Sequence, residues 1–485
     1  MNFSTQFLIN GELFTPVGLG TETSINPSNG EVLAEFPMAT QSTACEAVAA
    51  AKQAFEKGPW SKMTPDGRGR LLWRLADLVE ENKLELALIE TLDQGIVMKD
   101  GLSWQIENLV NVLRYYAGYA TKIEGYTNPF ASPDYIFRTK REPLGVCAVI
   151  PGWNAPLMEL GWKLGPALAT GNTVVVKAAR QSPLSILHFG KLIIQAGFPA
   201  GVVNIITGAG AESGDYLATH PDVRKISYTG STATGKHLMK LAADSVKRFS
   251  MELGGKNPLI VAQDADIEKA IAGQIIGGYF NAGQICAAYS RTYVHESVAQ
   301  EFIDKLVTKV SRLKIGKGEE KLTDMGPLIN AKQVDRVSDY VAKGIDQGAK
   351  LAYGGRKPDD ELLAKGSFYL PTILTDVTDT NVVAKEEIFG PVVNILTYSD
   401  DEEVMARVND TEMGLCGSVF SQDIGRANRF AERIQAGMIW MNTGPILDGP
   451  SPWGGYKQSG IGREMGPDPL SAYTESKSII TYIGS

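Results

Sequence analysis

The chain has 485 residues, 44% hydrophobic and 21% charged, with 55 acidic against 47 basic side chains and a formal charge of -8. That length exceeds one hydrophobic core and points to about three domains, and the acidic balance argues against nucleic acid or an anionic membrane surface as main partner. No apolar run approaches the roughly 18 residues of a membrane span, and residues 1–6 lack the basic-then-apolar order of a signal peptide, so a cytoplasmic protein is expected.

Helical and strand-like segments alternate along the chain, the pattern of an α/β protein. Thr43-Ala44-Cys45-Glu46 has capping-box spacing and is expected to start a helix that stops near Gly58. Leu71, Leu72, Leu75, Leu78 and Val79 follow helical spacing, and Leu84, Ala87, Leu88 and Leu92 form a second helix ended by Gly95. Residues 126–142 change texture: Pro129, Ser132 and Pro133 punctuate them, and 135–140 is β-prone. Residues 478–483 are strand-like too, and two isolated β segments with open edges seek partners. Between Gly145 and Gly255 strands alternate with helices. Residues 174–177, 202–206 and 225–229 read as buried parallel strands joined by right-handed crossovers, a dinucleotide-binding layout.

Two features of this layout face a ligand. Gly230-Ser231-Thr232-Ala233-Thr234-Gly235 leads from a strand into a helix and exposes backbone N–H groups to a phosphate, although such a turn also serves merely to join elements. Thr232 stands at the second glycine of G-x-G-x-x-G, so the usual Rossmann pyrophosphate grip is not expected. Lys177 closes its strand at the ligand edge of an open sheet, facing either a ribose or phosphate or solvent.

The cysteines Cys45, Cys147, Cys286 and Cys416 show no paired spacing, and His188, His220, His237 and His295 form no metal-binding motif. Neither a disulfide framework nor a metal site is indicated. Free cysteine is usually buried and inert, and Cys45, Cys147 and Cys416 are read that way. Cys286 differs. It ends Asn281-Ala282-Gly283-Gln284-Ile285-Cys286, downstream of Glu252-Leu253-Gly254-Gly255-Lys256. The pairing sets a nucleophile beside backbone amides that can meet an oxyanion, with a carboxylate able to act as base.

Residues 151–156, Pro-Gly-Trp-Asn-Ala-Pro, open a series continued by 162–168, 171–177, 228–232, 251–256 and the Cys286 segment. The series closes with Lys385-Glu386-Glu387-Ile388-Phe389-Gly390-Pro391 and Pro452-Trp453-Gly454-Gly455-Tyr456-Lys457-Gln458-Ser459-Gly460. In these stretches the chain resembles the aldehyde dehydrogenase superfamily over nearly its whole length.

The resemblance implies a Rossmann-type dinucleotide-binding domain (1–122 and 143–254) and an α/β catalytic domain (255–455). A small β oligomerisation segment (123–142 and 456–485) would build a homodimer or homotetramer. It further implies oxidation of a small-molecule aldehyde to a carboxylic acid. Cys286 would attack the aldehyde, Asn154 and the Cys286 N–H would hold the oxyanion, and Glu252 would activate water to hydrolyse the thioester. Lys163 would belong to the catalytic relay. Gly230 and Ser231 would approach the pyrophosphate, Lys177 the adenosine ribose, Glu387 the nicotinamide ribose, and Trp153 and Phe389 would be further cofactor contacts.

Four residues depart from the family pattern. Gly152 replaces a usual Pro and is expected to loosen the loop carrying Asn154; Ala287 replaces a frequent Thr, and Trp453 a Phe. Arg180 stands where NAD-preferring members commonly carry Glu, and as a donor-only side chain it favours NADP over NAD. Tunnel positions Ala155, Glu159, Trp162, Ile285, Ala287 and Leu447 are mostly apolar, which suggests a medium-sized aliphatic or aromatic aldehyde. Glu159 either lines that tunnel or faces away from it. The alternatives are a CoA-acylating enzyme, which need not activate water and typically lacks Glu252, and a catalytically silent protein on the same fold.

Overall fold

The computed structural model describes residues 3–484; Met1 and Asn2, read above for a leader, and Ser485 lie outside the described residues. The helix Gln41–Glu56 begins earlier than expected, because the Thr40 hydroxyl, not Thr43, caps it by accepting from the Thr43 N–H. Thr64 caps Pro65–Glu81, and Lys83–Gln94 ends at Gly95 with φ 92°, the left-handed conformation that glycine supplies.

The first sheet has eight strands in the order Glu12–Phe14, Phe7–Ile9, Val203–Ile206, Thr173–Lys177, Val146–Ile150, Val223–Thr229, Arg248–Glu252 and Gly460–Ile461. The five from Val203–Ile206 to Arg248–Glu252 run parallel, and the outer strands are antiparallel. Val146–Ile150 and Thr173–Lys177 are buried at every position, as their unbroken apolar runs require with both faces covered. From Val146–Ile150 the chain builds outward through two strands, then resumes on the other side at Val223–Thr229. That reversal opens a crevice beyond the C-terminal ends of the two neighbours.

The second sheet orders Lys350–Tyr353, Thr372–Thr375, Val392–Tyr398, Tyr289–His295, Asn257–Val261, Cys416–Phe420 and Met438–Met441, parallel except for the first. Glu252 ends a strand of the first sheet and Asn257 begins one of the second. The C-terminal edge of one sheet therefore meets the N-terminal edge of the other. The Cys286 turn, just before Tyr289–His295, lies on that second edge.

Tyr135–Pro143 pairs with Thr474–Tyr482 in an antiparallel ribbon running from Thr474 opposite Pro143 to Tyr482 opposite Tyr135. The two edge-seeking segments thus partner each other, and Ile136, Ile480 and Tyr482 stay exposed. Residues 456–473, expected in the same segment, behave differently: Gly460–Ile461 joins the first sheet and Glu464 is buried against it. Among the described residues no helix is long and apolar enough to cross a membrane, and no cluster of His, Cys, Asp or Glu could hold a metal ion.

Candidate active site

The strand Val146–Ile150 delivers residues 151–155 across the crevice to the helix Pro156–Ala169. The Asn154 carbonyl accepts from Gln105 Nε2 and Asn281 Nδ2, both at 3.1 Å. Its side chain is buried and makes no protein hydrogen bond among the described residues. Gly152 does not loosen this loop. Its N–H donates to Glu159 Oε2 at 2.5 Å, a tie that a proline, having no N–H, could not make. Glu159 is therefore a buried brace with its carboxyl turned to the loop, not a surface residue. Burial first, then Glu464, push it up to about 7, against the pull of Lys163 and the Gly152 N–H.

Cys286 follows the short helix Phe280–Gly283, in which Asn281 and Ala282 hold φ of 48° and 55°. Gly283 is required there, since a Cβ would lie 2.2 Å from the Gly390 carbonyl. Asn257 Nδ2 clamps the turn by donating to the Cys286 and Ala288 carbonyls at 2.7 and 3.0 Å. At Gly255 a Cβ would lie 2.6 Å from the Cys286 carbonyl, so this glycine lets the Glu252 and Cys286 turns touch. The thiol is pushed well above its usual value by burial, then by Glu159, Cys416, Glu252 and Glu387. Burial thus favours the neutral thiol over the thiolate.

Glu252 is buried, and neither of its carboxyl oxygens has a protein partner. Burial and then Glu464 raise it well above the carboxylate range, against Lys163 and Arg463. The fully buried Lys163 donates to Glu464 Oε1 and to Thr229 Oγ1, the latter at 2.6 Å. Ser227 Oγ also reaches Glu464 Oε1, at 3.4 Å. Sequence reading missed Glu464, which lies 301 positions from Lys163 and sits in no motif beyond Gly460 and Gly462. Trp453 braces it: the two residues exchange backbone hydrogen bonds of 2.6 and 2.7 Å, and the Trp453 ring stands between Trp162 and Trp440.

Of the other sequence-derived residues, Trp153 and Phe389 meet edge to face at 5.3 Å. Phe389 holds φ 61°, costly for a non-glycine residue, and Gln333 Nε2 fixes its carbonyl at 2.8 Å. Glu387 Oε1 accepts from the Gly255 N–H at 3.0 Å, which sets its carboxyl against the Glu252 turn. Gly230 donates its N–H to the Glu252 carbonyl at 3.0 Å. The Ser231 hydroxyl caps its own helix, Thr232–Ala242, by accepting from the Thr234 N–H. Lys177 is buried with its Nζ only 3.4 Å from one carbonyl, and burial lowers it to about 8. Arg180 is committed elsewhere, in a two-pronged pair with Glu22. A helix N-terminus at the strand-order reversal and a buried, scarcely partnered ammonium two strands away on the same C-terminal sheet edge together fit a dinucleotide.

Residues 16–479 match the model of the aldehyde dehydrogenase family. The chain is 44% identical to cytosolic 10-formyltetrahydrofolate dehydrogenase of Xenopus tropicalis, over 98% of this chain but 53% of that protein, about half its length. It is also 44% identical to the putative aldehyde dehydrogenase DhaS of Bacillus subtilis, over 97% of this chain and 94% of that one. The NAD+ complex of an aldehyde dehydrogenase from Bacillus cereus superposes with a TM-score of 0.97 at 44% identity, covering 99% and 97% of the two chains.

Proposed function

Because the chain belongs to the aldehyde dehydrogenase family, we propose that it oxidises an apolar, medium-sized aldehyde to the carboxylic acid by covalent catalysis at Cys286. One observation supports this above the others. Two sheet edges bring together a thiol, the Asn154 side chain and an unpartnered carboxyl on Glu252, with the Lys163–Glu464 pair behind them.

In this reading the Cys286 thiol gives its proton to water in the crevice, Sγ bonds to the aldehyde carbon as the C=O π pair moves onto oxygen, and the Asn154 amide and Cys286 N–H receive the oxyanion. NAD or NADP, which the Bacillus cereus relative's complex suggests, would when bound supply the hydride acceptor and one positive ring charge. Trp153, Phe389 and Glu387 would hold its nicotinamide end, and Gly230, Ser231 and Lys177 its pyrophosphate and adenosine end. Glu252, once ionised, takes a proton from water as that water attacks the thioester carbon, and Cys286 leaves as the thiolate. Lys163 and Glu464 fix the charge beside Glu252. The tunnel positions expected from the sequence, Ala155, Trp162, Ile285, Ala287 and Leu447, are apolar, which supports an apolar substrate. The exposed apolar residues of the ribbon would join protomers into a dimer or tetramer.

The test is single-turnover kinetics across an aldehyde panel. Glu252→Gln should give one burst of reduced cofactor and then stall, with an acyl adduct on Cys286 visible by mass spectrometry. Cys286→Ala should give no burst while retaining dinucleotide binding. Full turnover in either variant would end the proposal, and acyl-CoA in place of free acid would redirect it to the acylating reaction.

A further inference from the structure

Arg180 was expected to reach a 2′-phosphate, but its guanidinium is already taken. Its Nε lies 3.0 Å from Glu22 Oε2 and its Nη2 2.5 Å from Glu22 Oε1, a fork-to-fork geometry that engages both oxygens of the carboxylate and leaves each a further lone pair. Glu22 belongs to Thr21–Ile25, one strand of a hairpin whose other strand is Val32–Pro37. The hairpin is clamped beside Arg180. Ser24 Oγ donates to Asp93 Oδ1 at 2.5 Å, and Asp93 Oδ2 accepts from the N–H of Leu184, four residues beyond Arg180. Thr207 Oγ1, at the end of the neighbouring sheet strand, donates to the Pro37 carbonyl. The carboxylate is thus delivered to the Lys177 strand end by a fixed element.

We infer that Glu22 is a cofactor-specificity residue, which holds the Arg180 fork and returns to the adenosine-ribose end the acceptor that position 180 lacks. The inference rests on the reading that the adenosine ribose lies at Lys177. With the pair intact, Glu22 accepts from ribose hydroxyls and repels a 2′-phosphate, so NAD binds well although Arg180 carries no acceptor. A 2′-phosphate must compete with the Glu22 carboxylate for Arg180. The pair is half exposed, with side-chain exposures of 50% and 31%, so the competition is winnable and NADP is disfavoured without being shut out. The buried Lys177 ammonium feels both partners, Glu22 favouring its charge and Arg180 opposing it.

The experiment titrates wild type, Glu22→Gln, Arg180→Ala and the double variant with AMP and adenosine 2′,5′-bisphosphate by calorimetry. It also compares kcat/KM for NAD and NADP. Glu22→Gln should tighten the bisphosphate and raise the NADP-to-NAD ratio by on the order of tenfold, the effect of one freed charged fork. The double variant should lose that gain, because the gain acts through Arg180. An unmoved ratio in Glu22→Gln, or an equal gain in the double variant, overturns the inference alone. Failure of wild type to bind either fragment overturns the adenosine-end reading along with it.

Discussion

Glu159→Leu tests whether the Gly152 tie holds Asn154 in place. The substitution strips the acceptor from a buried N–H, and a hydrogen bond to a charged group is worth about 1.5–3 kcal/mol. If that loss appears as misplacement of the Asn154 amide, kcat falls about 10- to 100-fold, at ~1.4 kcal/mol per decade. An opposing effect is present. Glu159 is the first charge after burial holding the Cys286 thiol protonated, so its removal eases thiolate formation. Alkylation of Cys286 by iodoacetamide should therefore quicken while aldehyde turnover slows, a divergence that general unfolding cannot produce. Glu159→Gln keeps an oxygen acceptor and should retain most of the turnover. Gly152→Ala attacks from the other side, because its Cβ would lie 2.9 Å from Glu159 Oε2 and 3.0 Å from Asn154 Oδ1. It should lower kcat alone and cost less when combined with Glu159→Leu, whose missing carboxylate relieves one of the two contacts. Turnover in Glu159→Leu within about twofold of wild type would refute the reasoning, given the decade that even the weaker bond predicts.

The same residue predicts a pH signature. Its folded-state value of about 7 stands above the ordinary 4.5, so the native state binds this proton more tightly than the unfolded chain. The resulting stability is complete below about pH 4.5 and is lost as pH rises through about 7. Glu159→Gln should therefore gain on wild type in urea midpoint between about pH 5 and about pH 8, by up to ~3 kcal/mol at full extent; parallel pH curves would contradict it. On the ribbon, Ile480→Lys should shift the light-scattering mass towards a smaller species with the fold intact, and an unchanged mass would remove that face from assembly.

Much of the site was readable because its residues sit in short glycine-bearing segments whose chemistry is local. Cys286, Glu252 and Asn154 each occupy a turn at a strand end, and valine-rich 174–176 could scarcely be anything but a buried strand. What escaped was long-range. Glu464 meets Lys163 across 301 positions and Glu22 meets Arg180 across 158, so no local pattern announces either pair. Arg180 was read from its own chemistry, which is sound, but its partner came from a distant hairpin. The helix start slipped from Thr43 to Thr40 because the stretch offers three hydroxyls, on Thr40, Ser42 and Thr43, and only the folded backbone decides which one faces the open N–H. Gly152 misled in the opposite way: glycine suggests looseness, yet the N–H it retains is what ties the loop.

The electrostatics of the resting site follow from these pairings. Glu159, Glu252, Glu387 and Cys286 all favour their protons, and burial is the first cause for each. Lys163 pulls Glu159 and Glu252 the other way without overcoming burial, its ammonium being engaged by Glu464 and Thr229. The cluster is thus short of positive charge at the place where a nucleophile and a base must both ionise. In the proposed reaction a positive ring set against Trp153 and Phe389 would make Cys286 better able to release its proton, since an opposite charge nearby favours the ionised form. An anionic aldehyde would work against the same ionisation. Cofactor occupancy would thereby be coupled to reactivity in the proposed reaction: without that charge the thiol stays neutral, and with it the nucleophile becomes available, while Glu252 ionises later for the hydrolytic step.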